Sequence, residues 1–137
     1  MLFVRTRLRP SSIAGIGLFA AEQIGVGQTI WAFTPGLDST FPLNSMTSLA
    51  PVLQGFLNKY CSIDRERELL IIYADDARFI NHSYHPNTRL DEKTGNLIAA
   101  QDINADEEIT ENYCLVEWNG CDFTSRWTPP EQNRVHS

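Results

Sequence analysis

Arg78-Phe79-Ile80-Asn81-His82-Ser83-Tyr84-His85-Pro86-Asn87 is the stretch on which the reading of this chain turns. It follows the apolar run Leu69–Tyr73 (LLIIY), which has the composition of a buried strand. Directly after that run it gathers guanidinium, amide, imidazole and hydroxyl groups, a density of donors and acceptors that suits a ligand site. A metal centre is one alternative. His82 and His85 stand three apart, and on an extended chain positions i and i+3 point to opposite faces. A third ligand would have to be Asp91 or an acid elsewhere, and none is compelling, so no metal is expected.

Two further segments carry candidate chemistry. Ile13–Ala20 (IAGIGLFA) has a GxG, with Gly15 and Gly17 ahead of a strand. It lacks the third glycine, the helix and the downstream acid of a dinucleotide fingerprint. It is either a tight turn between strands or a backbone that can approach a ligand because no Cβ intervenes. Ala105–Tyr113 (ADEEITENY) opens with acids that usually mean a solvated turn, and ends on Tyr113, which fits a core position as well as a catalytic one.

Around these segments the chain is rich in short strands. Residues 2–8 read as a strand broken by Pro10, and Thr29–Phe33 is a strongly β-prone run ended by Thr34-Pro-Gly. Residues 88–91 and 96–100 flank Lys93-Thr94-Gly95 as a hairpin, and 108–113 give a last strand. Residues 43–60 form the helical stretch. Leu49, Val52, Leu53, Phe56, Leu57 and Tyr60 recur at helical spacing, and Pro51 predicts two short helices, the second starting there. The expected class is mainly β with a short helical insert.

Length and charge narrow the rest. The chain has 137 residues, enough for one domain, and 11 Lys+Arg against 17 Asp+Glu give a net charge of −6. That balance argues against direct nucleic-acid binding, which needs a basic face, and suits a cationic partner. Three cysteines without a CxxC (Cys61, Cys114, Cys121) indicate neither a disulfide framework nor a four-cysteine zinc site. No signal peptide or membrane span is expected, so the cytoplasm is the expected compartment.

In this order and spacing, the segments resemble the SET domain family of protein-lysine methyltransferases. GxG runs into LFA, a G-x-x-I strand follows at Gly27–Ile30, then RFINHSxxPN, then EEITxxY. The resemblance extends from about Leu2 to Tyr113, and the short form looks most like the small stand-alone SET proteins of bacteria. It implies a SET-domain β-clip of small curved sheets with a threaded, knot-like C-terminal segment. Residues 1–117 would form the SET domain, and 118–137 an aromatic tail that frays after Thr128.

The resemblance also implies S-adenosylmethionine as cofactor. Gly15, Ile16 and Gly17 would line it with backbone, and Asn81 and His82 would hold its amino-acid end and adenine. Tyr113 would border both cofactor and channel, its hydroxyl near the transferring methyl. Trp31 and Phe33 are candidates for the substrate channel, whereas Phe19 and Phe79 suit the core. Arg78 and Asn87 suit the scaffold. The implied partner is a protein with an exposed, basic lysine segment, and monomer and homodimer both stay open.

The sequence departs from the family pattern in two places. Tyr84 stands where many members have a cysteine, and Cys114 and Cys121 lie seven apart with no CxC, so no structural zinc is expected. Trp118, Phe123 and Trp127 are then available to cover the adenine, the channel mouth or the core edge. The family's glutamate and tyrosine near the third strand fall on Ala32 and Phe33. Three functions follow: a protein-lysine methyltransferase, a SET-fold binding module with little catalysis, and a methyltransferase for another amine.

Overall fold

The computed structural model describes residues 1–113. The tail aromatics, Cys114, Cys121 and the expected boundary at 117/118 lie outside the described residues. Strand β1 (Thr6–Pro10) pairs antiparallel with β2 (Ile16–Ala20), Thr6 opposite Ala20 and Pro10 opposite Ile16. The expected strand over 2–8 is divided. Leu2 bridges to Trp31, the Phe3 amide donates to the Ile30 carbonyl, and regular β1 pairing starts at Thr6. The first residues thus serve the edge of β3 (Thr29–Trp31) rather than β2.

Strand β4 (Ser39–Pro42) leads into a 3₁₀ turn, Leu43–Ser48, and then α1 (Pro51–Tyr60). The break before Pro51 is where the sequence puts it, with proline at the first helical position. No α1 residue is buried, and Val52 is 78% exposed, so the apolar stripe is only partly used. Leu49 and Leu57 carry it, packing on Leu43, Met46, Cys61, Ile63 and Leu70. That small core lies under β5 (Ser62–Asp64) and β6 (Leu69–Ile72), and the sheet order is β4-β6-β5, all antiparallel. Strand β6 is half-buried rather than buried throughout, with Leu70 alone fully enclosed.

After a 3₁₀ turn at Asp76–Phe79 comes β7 (Asn81–His82). The hairpin of β8 (Thr88–Leu90) and β9 (Leu97–Ala99) follows as expected, and β9 also pairs β3. Gly95 has φ +73° in the connection, a conformation that glycine adopts without strain. The last strand, β10 (Thr110–Glu111), is shorter than expected and pairs β7 in parallel: Thr110 opposite Asn81, Glu111 opposite His82.

The main core joins these pieces. Leu18, Ile24, Ile30, Ile103 and Ile109 are fully buried, with Ala20, Ile80, Leu97 and Ala99 around them. Each large aliphatic side chain enclosed this way contributes about 1.5–3 kcal/mol relative to exposure. The architecture is mainly β, made of small sheets with few helices. Among the described residues no helix is long and apolar enough to cross a membrane.

Candidate functional site

The strand β7 and the glycine loop meet although they are far apart in sequence. The Asn81 amide Nδ2 donates to the carbonyls of Ala14 (3.0 Å) and Ile16 (3.4 Å) and to Glu108 Oε2 (2.9 Å). Gly15, Ile16, Gly17 and Asn81 are therefore one cluster. The two glycines serve it differently. Gly15 has φ +45° and open space where a Cβ would stand. At Gly17 a Cβ would sit 2.4 Å from Glu108 Oε2, so its bare side is filled by the chain's own carboxylate.

The parallel β7–β10 pair brings in Tyr113. Its backbone N–H donates to His82 Nδ1 at 3.1 Å, and its hydroxyl donates to the Ile80 carbonyl at 2.5 Å. A ring nitrogen that accepts from an amide leaves the proton of the neutral imidazole on Nε2. Burial holds the His82 pKa below its usual range, which keeps the ring neutral at pH 7. The His82 and Tyr113 rings lie 5.2 Å apart, centre to centre, and Tyr84 packs edge-on to His82 at 4.4 Å. Tyr113 has its hydroxyl proton committed to a carbonyl, so towards a further group it is an acceptor and not an acid.

Asn87 and Arg78 act on the backbone. Asn87 Nδ2 donates to the Glu108 carbonyl (2.8 Å), and its Oδ1 accepts from the Thr110 amide (2.9 Å). The side chain of Asn87 thus extends the β7–β10 contact by a pair of hydrogen bonds. Arg78 donates to the carbonyls of Asp75 and Tyr73.

Trp31 and Phe33 lie elsewhere. With Tyr73, Ile71 and Leu90 they wall a cavity of about 300 Å³ whose rim includes Asp64 and Glu66. Trp31 meets Tyr73 edge-on at 5.1 Å and Phe33 at 6.4 Å. Tyr113 is not among the described residues that line this cavity. Phe79 instead packs against Tyr60 at 5.7 Å.

Sequence reasoning missed Asp38. It is fully buried and accepts from the backbone amides of Thr34 and Ala74, both at 2.9 Å, and from the Met1 amino group at 2.5 Å. Thr34 follows Phe33 and Ala74 follows Tyr73, so one carboxylate fixes two aromatic walls of the cavity. Burial pushes its pKa up, but the hydrogen bonds from Met1, Ala74 and Thr34 and the nearby positive charge outweigh burial and hold it low. The signal was slight: one acid in the loop Pro35-Gly36-Leu37-Asp38, where a solvated turn is the ordinary expectation. Glu108 was missed for the same reason. Among the described residues no group of three or more His, Cys, Asp or Glu side chains could hold a metal ion.

The SET domain family model matches residues 15–114, from the glycine loop to just past Tyr113. The chain belongs to the SET domain family. Solved structures agree on the fold. A humanized mutant of the Chaetomium thermophilum Polycomb Repressive Complex 2, bound to the inhibitor GSK126, is similar with TM-score 0.61 and 24% identity, over 85% of this chain and 16% of that one. A candidate histone methyltransferase of Plasmodium falciparum is similar with TM-score 0.55 and 19% identity, over 80% of this chain and 93% of that one. An active polycomb repressive complex 2 in its basal state gives 0.60 and 24%, over 80% of this chain and 15% of that one. This SET domain thus spans about a sixth of the first of these relatives. No curated protein matches it in sequence.

Proposed function

We propose that this SET domain transfers a methyl group from S-adenosylmethionine to a lysine side chain of a protein. The observation that supports it best is the convergence of the Gly15–Gly17 loop, Asn81, His82 and Tyr113 through hydrogen bonds that span the chain. The residues suit the cofactor chemically. Open space beside Gly15, a backbone loop and a neutral imidazole can border an adenosine and an amino-acid end. Gly15, Ile16, Gly17, Asn81 and His82 would hold it, with Tyr113 beside the transferring methyl.

Bound there, S-adenosylmethionine would supply an activated methyl on a sulfonium: a neutral amine takes it by in-line displacement, the S–C bond breaks to leave a neutral thioether, and the methylated ammonium gives up a proton to water. The protein's part is alignment and a neutral amine. A lysine with pKa about 10.4 is neutral at pH 7 at a cost of about 4.6 kcal/mol. Removal of that amine from water behind walls such as Trp31, Phe33 and Tyr73 would lower that cost by disfavouring the ammonium form. Tyr113, whose oxygen is an acceptor, would favour the amine arriving with its own N–H groups. The acidic chain and the rim carboxylates of Asp64 and Glu66 favour a basic segment around the target lysine.

A second reading has its own observation. Trp31 and Phe33 wall a cavity that does not include Tyr113, which suits a module that binds without transferring. The purified protein incubated with labelled S-adenosylmethionine and a cell extract separates them, with Tyr113→Phe alongside. Label on a protein, lost in the variant, supports the enzyme. Cofactor binding without transfer selects the binding module, and an absence of cofactor binding removes both.

A further inference from the structure

Glu107 and Glu108 are neighbours in an acidic run, but the structure separates their roles. Glu107 accepts from Asn104 at the surface (2.8 Å). Glu108 turns inward and its carboxylate becomes the hub of a closed circuit. The Ser11 hydroxyl donates to it at 2.7 Å and in turn accepts from the amides of Ile13 (2.9 Å) and Ala14 (3.3 Å). Asn81 Nδ2 donates to the same carboxylate and to the carbonyls of Ala14 and Ile16. Gly17 has no Cβ where that carboxylate lies.

This circuit decides which way the Asn81 amide faces. Three acceptors converge on Nδ2. Turning the amide over would aim Oδ1 at a carboxylate and two carbonyls, leaving those acceptors unsatisfied and opposed. Oδ1 is therefore held on the far side, as an acceptor. A fixed acceptor beside the glycine loop suits the positively charged amino group of an amino-acid ligand.

We propose that Glu108 is a positioning residue of the cofactor site. Together with Ser11 it locks the Asn81 amide and the Ser11–Gly17 loop into the arrangement that receives the ammonium end of the cofactor. The proposal rests on the cofactor reading above and adds to it a residue and a ligand group.

The experiment compares S-adenosylhomocysteine with 5′-methylthioadenosine, which lacks the amino-acid end, by calorimetry on the wild type, Glu108→Gln and Glu108→Ala. Affinity for S-adenosylhomocysteine is expected to fall about tenfold in Glu108→Ala, less in Glu108→Gln, with 5′-methylthioadenosine unchanged. Equal losses for both ligands, or no loss for either, overturn the proposal. The Asn81 side-chain amide is followed by ¹⁵N NMR without ligand, and faster exchange of its protons in the variants is expected. An unchanged Asn81 signal overturns the lock even if no ligand binds, so failure of the cofactor reading remains distinguishable. If the Glu108 variants do not fold, Ser11→Ala removes one leg of the circuit. It is expected to cost S-adenosylhomocysteine binding about threefold and to speed Asn81 amide exchange, and an unmoved Asn81 amide there counts against the proposal.

Discussion

The Asn81 amide donates to the Ala14 carbonyl at 3.0 Å across 67 positions of sequence. That one contact makes the glycine loop and the β7 strand a unit. Asn81→Ala removes the donor for three acceptors at once. A loss of about 1–3 kcal/mol in stability is expected, measurable by urea unfolding. S-adenosylhomocysteine affinity is expected to fall at least tenfold at a temperature where the variant is still folded.

Gly17 and Glu108 offer a second test. In Gly17→Ala the new Cβ would stand 2.4 Å from Glu108 Oε2, so a destabilisation of about 1–3 kcal/mol is expected. The closest clash is with that carboxylate, with Ser11 Cβ next at 3.1 Å, so the cost should shrink when Glu108→Ala is combined with it. A thermodynamic cycle on the two single variants and the double variant measures this. Strict additivity would contradict the contact.

The pH dependence of His82 has a definite sign. Burial lowers its folded pKa below the usual value of about 6.5. The unfolded chain therefore takes up the proton first as pH falls. The stabilisation from the neutral ring is complete above about pH 6.5 and declines below it. Protonation also removes the Nδ1 acceptor from the Tyr113 amide. An NMR titration of the His82 ring should give a midpoint below that of a free histidine, and the Tyr113 amide resonance should move with it.

Asp38 works in a lower window. Its carboxyl is held below its ordinary range, so its contribution is present above about pH 4 and is lost as pH falls through the folded value. Asp38→Asn should cost about 1–3 kcal/mol at pH 7. Its acid unfolding curve should also lose part of the slope seen for the wild type below pH 4. Circular dichroism against pH follows both.

Phe33 should separate the two halves of the site. It is 40% exposed, meets Trp31 edge-on and lines the cavity with Ile71 and Tyr73. Phe33→Ala is expected to leave S-adenosylhomocysteine affinity within about twofold while raising the KM for a lysine-bearing acceptor severalfold. Parallel calorimetry and steady-state kinetics provide the check.

The local chemistry of the sequence was a good guide to the elements. Pro51 marked the start of α1, and Lys93-Thr94-Gly95 marked the β8–β9 connection. Repeated apolar spacing found α1 but overstated its burial, because periodicity records a stripe and not what covers it. The short strands β4 and β5 went unread, since three or four residues hold too little pattern to register. Asn81, His82 and Tyr113 came into view through their motif context. Their mutual geometry did not, because the β7–β10 contact is parallel and distant in sequence. Asp38 and Glu108 looked like solvated acids. Only backbone amides and side chains from remote segments, folded against them, show Asp38 to be a buried hub and Glu108 a partly buried one.

The parallel pair also bears on the order in which the molecule becomes competent. The β1–β2 and β8–β9 hairpins close short loops and can form early, whereas Asn81–His82 must wait for Thr110–Glu111, after the intervening hairpin has formed. In that order His82 and Tyr113 would meet late in folding, and a nascent chain that ends before β10 would lack the parallel contact that joins them. Conversely, a ligand seated across that contact would have to leave before β10 could peel away. Tight binding would thus act as a brake on unfolding as well as a shift in equilibrium.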